Sequence, residues 1–187
     1  PYSGIHHMIF RSLKAPALVM TSANSPNEPM IISNEEAFLK LRGVADYFLL
    51  HDRRIWSRCD DSVIRLIDGG PIFLRRSRGF TFLRTSLPFD CDRTIVGVGP
   101  ELSSNAAIIE GGQFYVSQHI GDVDNLDTMD YLREAINNLL RLIGVRKVDI
   151  VACDAHPLFL SRRVAKELVG RFSARLIEVQ HHHAHLA

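Results

Sequence analysis

The sequence predicts an α/β architecture in two portions, joined near residues 84–93. Three observations predict it. Strand-length apolar runs alternate with helical apolar spacing from residue 94 onward. A hairpin signature, Asp68-Gly69-Gly70 between two apolar runs, stands before that point. Between them "RTSLPFDCDRT" keeps no apolar periodicity, and a boundary is placed there.

In chain order, residues 17–20 form a strand-like apolar run followed by a loop rich in Ser, Asn and Pro. "SNEEAFLKLRG" predicts a short helix capped by Ser33 or Asn34, with Glu35 and Glu36 in the first turn and Gly43 as a stop. "ADYFLLHDRRI" sets an apolar run before a charged loop. The hairpin pairs residues 63–67 with residues 72–75. "TIVGVGPELSSNAAIIEGGQFYVSQHI" predicts three strands, so residues 94–119 are expected as a β-meander at the edge of a mixed sheet. Leu126, Met129, Leu132, Ile136, Leu139, Leu140 and Ile143 recur at helical spacing, and Gly144 can end that helix. "VDIVACD" reads as a buried strand, "SRRVAKELVGRF" as a helix capped by Ser161, and "ARLIEVQ" as another strand. "HHHAHLA" begins a further helix.

Composition sets bounds. The chain has 187 residues, 46% hydrophobic and 23% charged, with a net charge of +1. That balance suits a soluble globular protein and carries no polyanion signature, so neither nucleic acid nor membrane is expected as a partner. No apolar run approaches the ~20 residues of a membrane-spanning helix. Cys59, Cys91 and Cys153 are far apart and form no CxxC, so a reducing cytoplasm is the expected setting. The first residue is Pro1, and the last segment looks unfinished at Ala187, so a piece of a longer protein is expected.

Four constellations bear on chemistry. In "QHHHAH", His181 and His185 stand four apart and share one helical face. Two neutral imidazoles so placed can chelate zinc, iron or another divalent metal. At ~1.5 Å rise per residue both rings can reach one ion. A purification tag or an inert surface run are the other readings. "TSAN", comprising Thr21, Ser22, Ala23 and Asn24, ends an apolar run with hydroxyl, amide and backbone donors suited to phosphate. Plain turns carry the same residues. Arg53, Arg54, Arg58, Arg65, Arg75, Arg76 and Arg78 cluster around Asp60-Asp61. Such forks bind phosphate or carboxylate, and the acid pair can fix them or hold Mg²⁺; a salt-bridged face is the alternative. Last, "GVGPELSSN", "SQHIGDVDN" and the strand-ending "CDAHP" put glycines and polar residues where an α/β domain forms its cleft.

Taken together, "HHMIF", "LVMTSANSPNEPM", "HDRRIWSRCDDSVIR", "FLRRSRGF", "GVGPELSSN", "SQHIGDVDN", "CDAHPLFLSRRVA" and "VQHHHAHLA" resemble, in order and spacing, the HypF family of hydrogenase maturation carbamoyltransferases. The resemblance covers essentially the whole chain. It implies that residues 1–88 are the carboxyl half of a YrdC-like nucleotide-binding domain. Residues 89–93 would be a linker, and residues 94–187 the amino part of a TsaD-like domain of the actin/Hsp70 type. It implies ATP and Mg²⁺ near Thr21, Ser22, Asn24, Arg58, Ser62 and Arg75, and a divalent metal, zinc or iron, on His181 and His185. The sequence departs from the family in "SPNEP" where "SGEP" is common, and in "GVGPELSSN" where "GAELKN" is usual.

The implied reaction joins carbamate, released from carbamoyl phosphate, to ATP as carbamoyl adenylate. The TsaD-like domain then passes the carbamoyl to the carboxyl-terminal cysteine of HypE. Three alternatives stand beside it. A tRNA threonylcarbamoyl-adenosine synthase uses the same domain types on separate chains. An O-carbamoyltransferase fuses them in the opposite order. A non-catalytic metal-binding or docking module is the third. Two geometric expectations follow: Arg75 and Ser22 facing one pocket, with the hairpin and the strand before "TSAN" in one sheet; and ring nitrogens of His181 and His185 converging.

Overall fold

The computed structural model describes residues 3–187. Five helices and eight strands occur among them: α1 Gly4–Ser12, α2 Asn34–Lys40, β1 Val63–Ile67, β2 Gly70–Arg75, β3 Thr85–Ser86, β4 Ile95–Gly97, β5 Ala107–Glu110, β6 Gln113–Val116, α3 Leu126–Ile143, β7 Ile150–Asp154, α4 Ser161–Phe172, β8 Arg175–Val179 and α5 His181–Leu186. Strands β3 to β8 form one six-stranded sheet in the order β3-β6-β5-β4-β7-β8. β4, β5 and β6 are the antiparallel meander the glycine turns predict. β4 also pairs β7 in parallel, and β7 pairs β8 in parallel. The sheet is therefore mixed, with crossover helices α3 and α4 as the sequence pattern requires.

The buried hydrophobic residues all lie between Val96 and Ala174. α3 shows why. Its Met129, Leu132, Ala135, Ile136, Leu139 and Leu140 fall on one face and are buried. Asn125 and Thr128 close a capping box at its start. At its end Gly144 adopts φ 82, a left-handed cap that a β-carbon would strain. α4 differs from expectation at its start. Leu160 takes the cap position without a side-chain bond, and Ser161 becomes the first helical residue, its hydroxyl buried and without a partner. The Glu101 carboxylate instead accepts the Leu160 N–H at 3.2 Å.

The first portion is looser. β1 and β2 form a two-stranded sheet of their own, joined through Asp68 and Gly69 at φ 51 and 80. Positive φ at both positions is the two-residue hairpin turn whose twist matches the strands. β2 begins at Gly70, earlier than the apolar run suggests, because Gly70 already pairs Ile67. Ser33 caps α2 by accepting the Glu36 N–H at 3.0 Å. That helix ends at Lys40, short of Gly43. α1 goes beyond the sequence expectations; Ser3 accepts the His6 N–H at its start.

Three expectations are corrected here. Residues 17–20 are not a strand: they pair with no strand among the described residues, and Val19 is 96% exposed. An extended run without a neighbour has no ladder in which to place its N–H and C=O groups. The sheet shared by the hairpin and the run before "TSAN" is accordingly not formed. Thr85 and Ser86 pair with Phe114 and Gln113, so the larger sheet gains an edge strand from chain that precedes residue 88. The meander thus lies inside that edge. No described helix is long and apolar enough to cross a membrane.

Candidate functional site

The carboxyl ends of β4, β7 and β8 meet at one side of the sheet. This is where open α/β sheets form their clefts. A cavity of about 280 Å³ opens there, lined among others by Gly97, Gly99, Asp154, His181 and His185. A second recess of about 790 Å³ adjoins it, sharing Pro100, Asp154, His181 and His185 and adding His156 and Phe159. The two rings of His156 and Phe159 stack at 4.3 Å between centroids.

Gly99 shapes the inner wall. Its φ is +79, and a β-carbon there would stand 2.3 Å from the Asn105 carbonyl oxygen and 2.9 Å from Ser104 Oγ. Only glycine permits this close approach of two turns. The "GVGP" motif therefore brings backbone to the cavity mouth.

The histidines stand on α5, which begins directly after β8. His181 Nε2 and His185 Nε2 lie 3.2 Å apart, with ring centroids 4.8 Å apart at an interplanar angle of 76°. Behind His181, its Nδ1 lies 2.6 Å from Asp154 Oδ2. Asp154 Oδ1 accepts the His156 N–H at 2.8 Å. Burial pushes the Asp154 carboxyl up, but the His156 N–H and His181 outweigh it and hold it below the usual carboxylate range. His182 and His183 are exposed and contribute to neither cavity. Among the described residues no group of three or more His, Cys, Asp or Glu side chains is arranged around a metal position. His181 and His185 fit a divalent metal as half of a ligand set: their Nε2 atoms stand 3.2 Å apart, a spacing that two ligands of one ion can have, and one ring is held from behind by a carboxylate. Neighbouring Cys153 is buried, and burial raises its thiol, which leaves it in the protonated form.

The first-portion residues fall into local networks. Ser22 Oγ donates to Asn24 Oδ1 at 2.6 Å, and Asn24 Nδ2 donates to the Ser25 and Glu28 carbonyls at 3.0 and 3.1 Å. Thr21 and Ser22 are exposed at the loop surface. Arg75 donates to Asp60 Oδ2 at 2.6 Å, while Arg78 pairs with Asp61. The acid pair thus holds two arginines of the cluster. Ser62 Oγ accepts the Ser77 N–H at 2.8 Å and donates to the Arg78 carbonyl at 3.0 Å. Arg58 donates to the Met30 carbonyl at 2.6 Å and to Glu134 of α3. Its guanidinium also lies over the Tyr131 ring. In this arrangement Arg58 ties the loop to α3 rather than facing a cavity.

A third cleft, about 540 Å³, lies between the "TSAN" loop and the "SQHIGD" loop. Asn24, Asn27, His119, Asp122 and Thr128 are among its lining residues; Ser22 and Arg75 are not. Burial, and then the Arg75 guanidinium, push His119 below the ordinary histidine range. The His119 N–H donates to the Arg76 carbonyl at 3.1 Å, and Gln118, buried next to it, donates to Ser57 Oγ at 3.2 Å. The "SQHIGD" motif is thus a seam between the portions. Sequence reasoning saw a glycine-bearing loop there; the polar pattern Gln118-His119 in an otherwise apolar strand end was the available clue.

Residues 90–187 match the family described as HypF Kae1-like domain, and residues 1–77 the family described as Telomere recombination. The probable carbamoyltransferase HypF of Methanocaldococcus jannaschii is 48% identical over 185 residues, which are 99% of this chain and 24% of that protein. Carbamoyltransferase HypF of Synechocystis is 37% identical over 99% of this chain and 23% of its own length. The crystal structure of T. kodakarensis HypF superposes with a TM-score of 0.88 at 42% identity, over 99% of this chain and 24% of that one. The crystal structure of a full-length HypF in the phosphate- and nucleotide-bound form gives 0.86 at 38% identity, over 99% and 28%. The chain spans about a quarter of the length of these relatives.

Proposed function

The chain belongs to the HypF family, and on that premise we propose that it is part of a carbamoyltransferase of NiFe hydrogenase maturation. The whole protein hydrolyses carbamoyl phosphate to carbamate and phosphate and joins the carbamate to ATP, with Mg²⁺, giving carbamoyl adenylate and pyrophosphate, in the cytoplasm. It passes the carbamoyl to the carboxyl-terminal cysteine thiolate of HypE. The observation that carries this reading is the pairing of His181 and His185 at the cleft, on the same chain as the "TSAN" and "DSV…FLR" segments.

The chain's own residues suit the two halves of the reaction. Displacement at the α-phosphate spreads charge over phosphate oxygens, which positioned cations and N–H donors stabilise. Arg75 and the "TSAN" loop supply such groups. For Arg75 to act on phosphate it exchanges Asp60 for the nucleotide, a move its 36% side-chain exposure permits. Thr21 and Ser22 stand at the open surface of the loop, with Asn24 bracing it from within. Ser62 sets the path of the chain beyond Arg75 through its two bonds. Arg58 contributes by fixing the loop against α3. At the second site, His181 and His185 would hold a zinc or iron ion, which supplies Lewis acidity toward a phosphate or carbonyl oxygen. The close Gly99 turn brings backbone to that cavity, whose lining is largely apolar.

The test is carbamoyl-phosphate-dependent exchange of labelled pyrophosphate into ATP by the full-length protein. Exchange that requires carbamoyl phosphate supports the reading. No exchange at saturating substrates sinks it in favour of a binding module.

A further inference from the structure

The histidine pair has a partner that the "HHHAH" motif does not announce. Asp154 ends β7, and its register partner on β8 is Val179, two residues before His181. Adjacent parallel strands thus deliver a carboxylate and an imidazole to one place. The Asp154 side chain is 6% exposed. Both of its oxygens are engaged, Oδ1 by the His156 N–H at 2.8 Å and Oδ2 by His181 Nδ1 at 2.6 Å. A carboxylate only accepts, so His181 Nδ1 carries the proton in this contact. In the neutral ring the other nitrogen, Nε2, then carries the lone pair, and it is the atom that faces His185 Nε2 at 3.2 Å.

We propose that Asp154 is the positioning residue of the histidine pair: it fixes the Nδ1–H tautomer and ring plane of His181, so that Nε2 is presented to a divalent metal ion. This rests on the metal reading above. A plain structural role makes a different demand. If Asp154 served only to hold the turn at His156, an amide would replace it without loss, because its oxygen accepts the same N–H. An asparagine would, however, turn its NH₂ toward His181 Nδ1. That contact favours a bare Nδ1 and moves the proton to Nε2, blocking the ligating atom.

The experiment measures zinc affinity of the full-length protein by competition with a chelator, for wild type, Asp154→Asn and His182→Ala, with His181→Ala as the reference for zinc held elsewhere in the protein. Selective ¹⁵N labelling of histidine reports the metal-free His181 tautomer in parallel. The expected result is a loss of about tenfold to a hundredfold in zinc affinity for Asp154→Asn. His182→Ala should bind as wild type, and wild-type His181 should show Nδ1 protonated. Unchanged affinity in Asp154→Asn, with wild type binding zinc, overturns the positioning role and leaves the metal reading intact. A wild-type protein that binds no more zinc or other divalent metal than His181→Ala overturns both. If Asp154→Asn does not fold, the wild-type tautomer decides: an Nε2-protonated His181 overturns the proposal.

Discussion

Arg58 of the loop before the hairpin donates to Glu134 of α3, 76 positions along the chain. The same guanidinium stands 5.4 Å from the Tyr131 ring centroid, and its side chain is only 13% exposed. Arg58→Ala would leave Glu134 and the Met30 carbonyl without their donor. The expected cost is about 1.5–3 kcal/mol in urea unfolding, as for hydrogen bonds to charged groups. Lys40→Ala breaks more exposed pairs with Glu28, Glu36 and Asp127 and should cost less, about 1 kcal/mol. Equal losses for the two variants would show that the Arg58 contact is not a principal tie between the portions.

Gly99→Ala places a methyl group against the Asn105 carbonyl at a backbone angle that disfavours any side chain. Strain and overpacking together should lower stability by at least about 2 kcal/mol. Gly111→Ala is the control: its φ is +56, but a β-carbon meets nothing within 4 Å. Thermal melts of the two variants check this, and the Gly99 change should be the larger.

His119 carries a pH dependence. Burial and Arg75 lower its folded pKa, so the folded state binds fewer protons than the unfolded one. The stability it contributes is present above the unfolded value of ~6.5 and is lost as pH falls from there through the folded value. His119→Gln should flatten this acid-side slope. A melting temperature that falls equally with pH in both proteins assigns the effect to other groups.

Metal content separates the histidines. His181→Ala and His185→Ala should each bind less divalent metal than the wild-type full-length protein, by the share held at this pair, while His182→Ala binds as wild type. Elemental analysis after dialysis gives the answer. Full retention in both of the first two variants makes the four histidines a surface run.

Much of the larger sheet was legible because its residues repeat at the right periods. The α3 face, the Gly144 stop and the glycine turns of the meander each carry a local physical signal. The first portion was less legible. Residues 17–20 look like a strand from their side chains alone, yet a strand also needs a neighbour, and that is not a local property. The start of α4 differs for a similar reason: Glu101, 59 positions earlier, accepts the Leu160 N–H, and Leu160 rather than Ser161 takes the cap position. In the candidate site, the spacing of His181 and His185 was visible in the sequence. Their link to Asp154 arises from the β7–β8 register, which "CDAHP" hints at only by ending a strand.

In the proposed function one chain carries residues for two chemically distinct steps, adenylation in the first portion and carbamoyl transfer at the histidines. Carbamoyl-phosphate-dependent pyrophosphate–ATP exchange, measured in full-length Arg75→Ala and His181→Ala, tests it most directly. Arg75→Ala should lose about a hundredfold or more in exchange, the effect of removing one charge-stabilising donor, while still hydrolysing carbamoyl phosphate. His181→Ala should exchange at the wild-type rate and fail only in transfer to the acceptor thiol. Loss of exchange in His181→Ala, or undiminished exchange in Arg75→Ala, would contradict the division of labour.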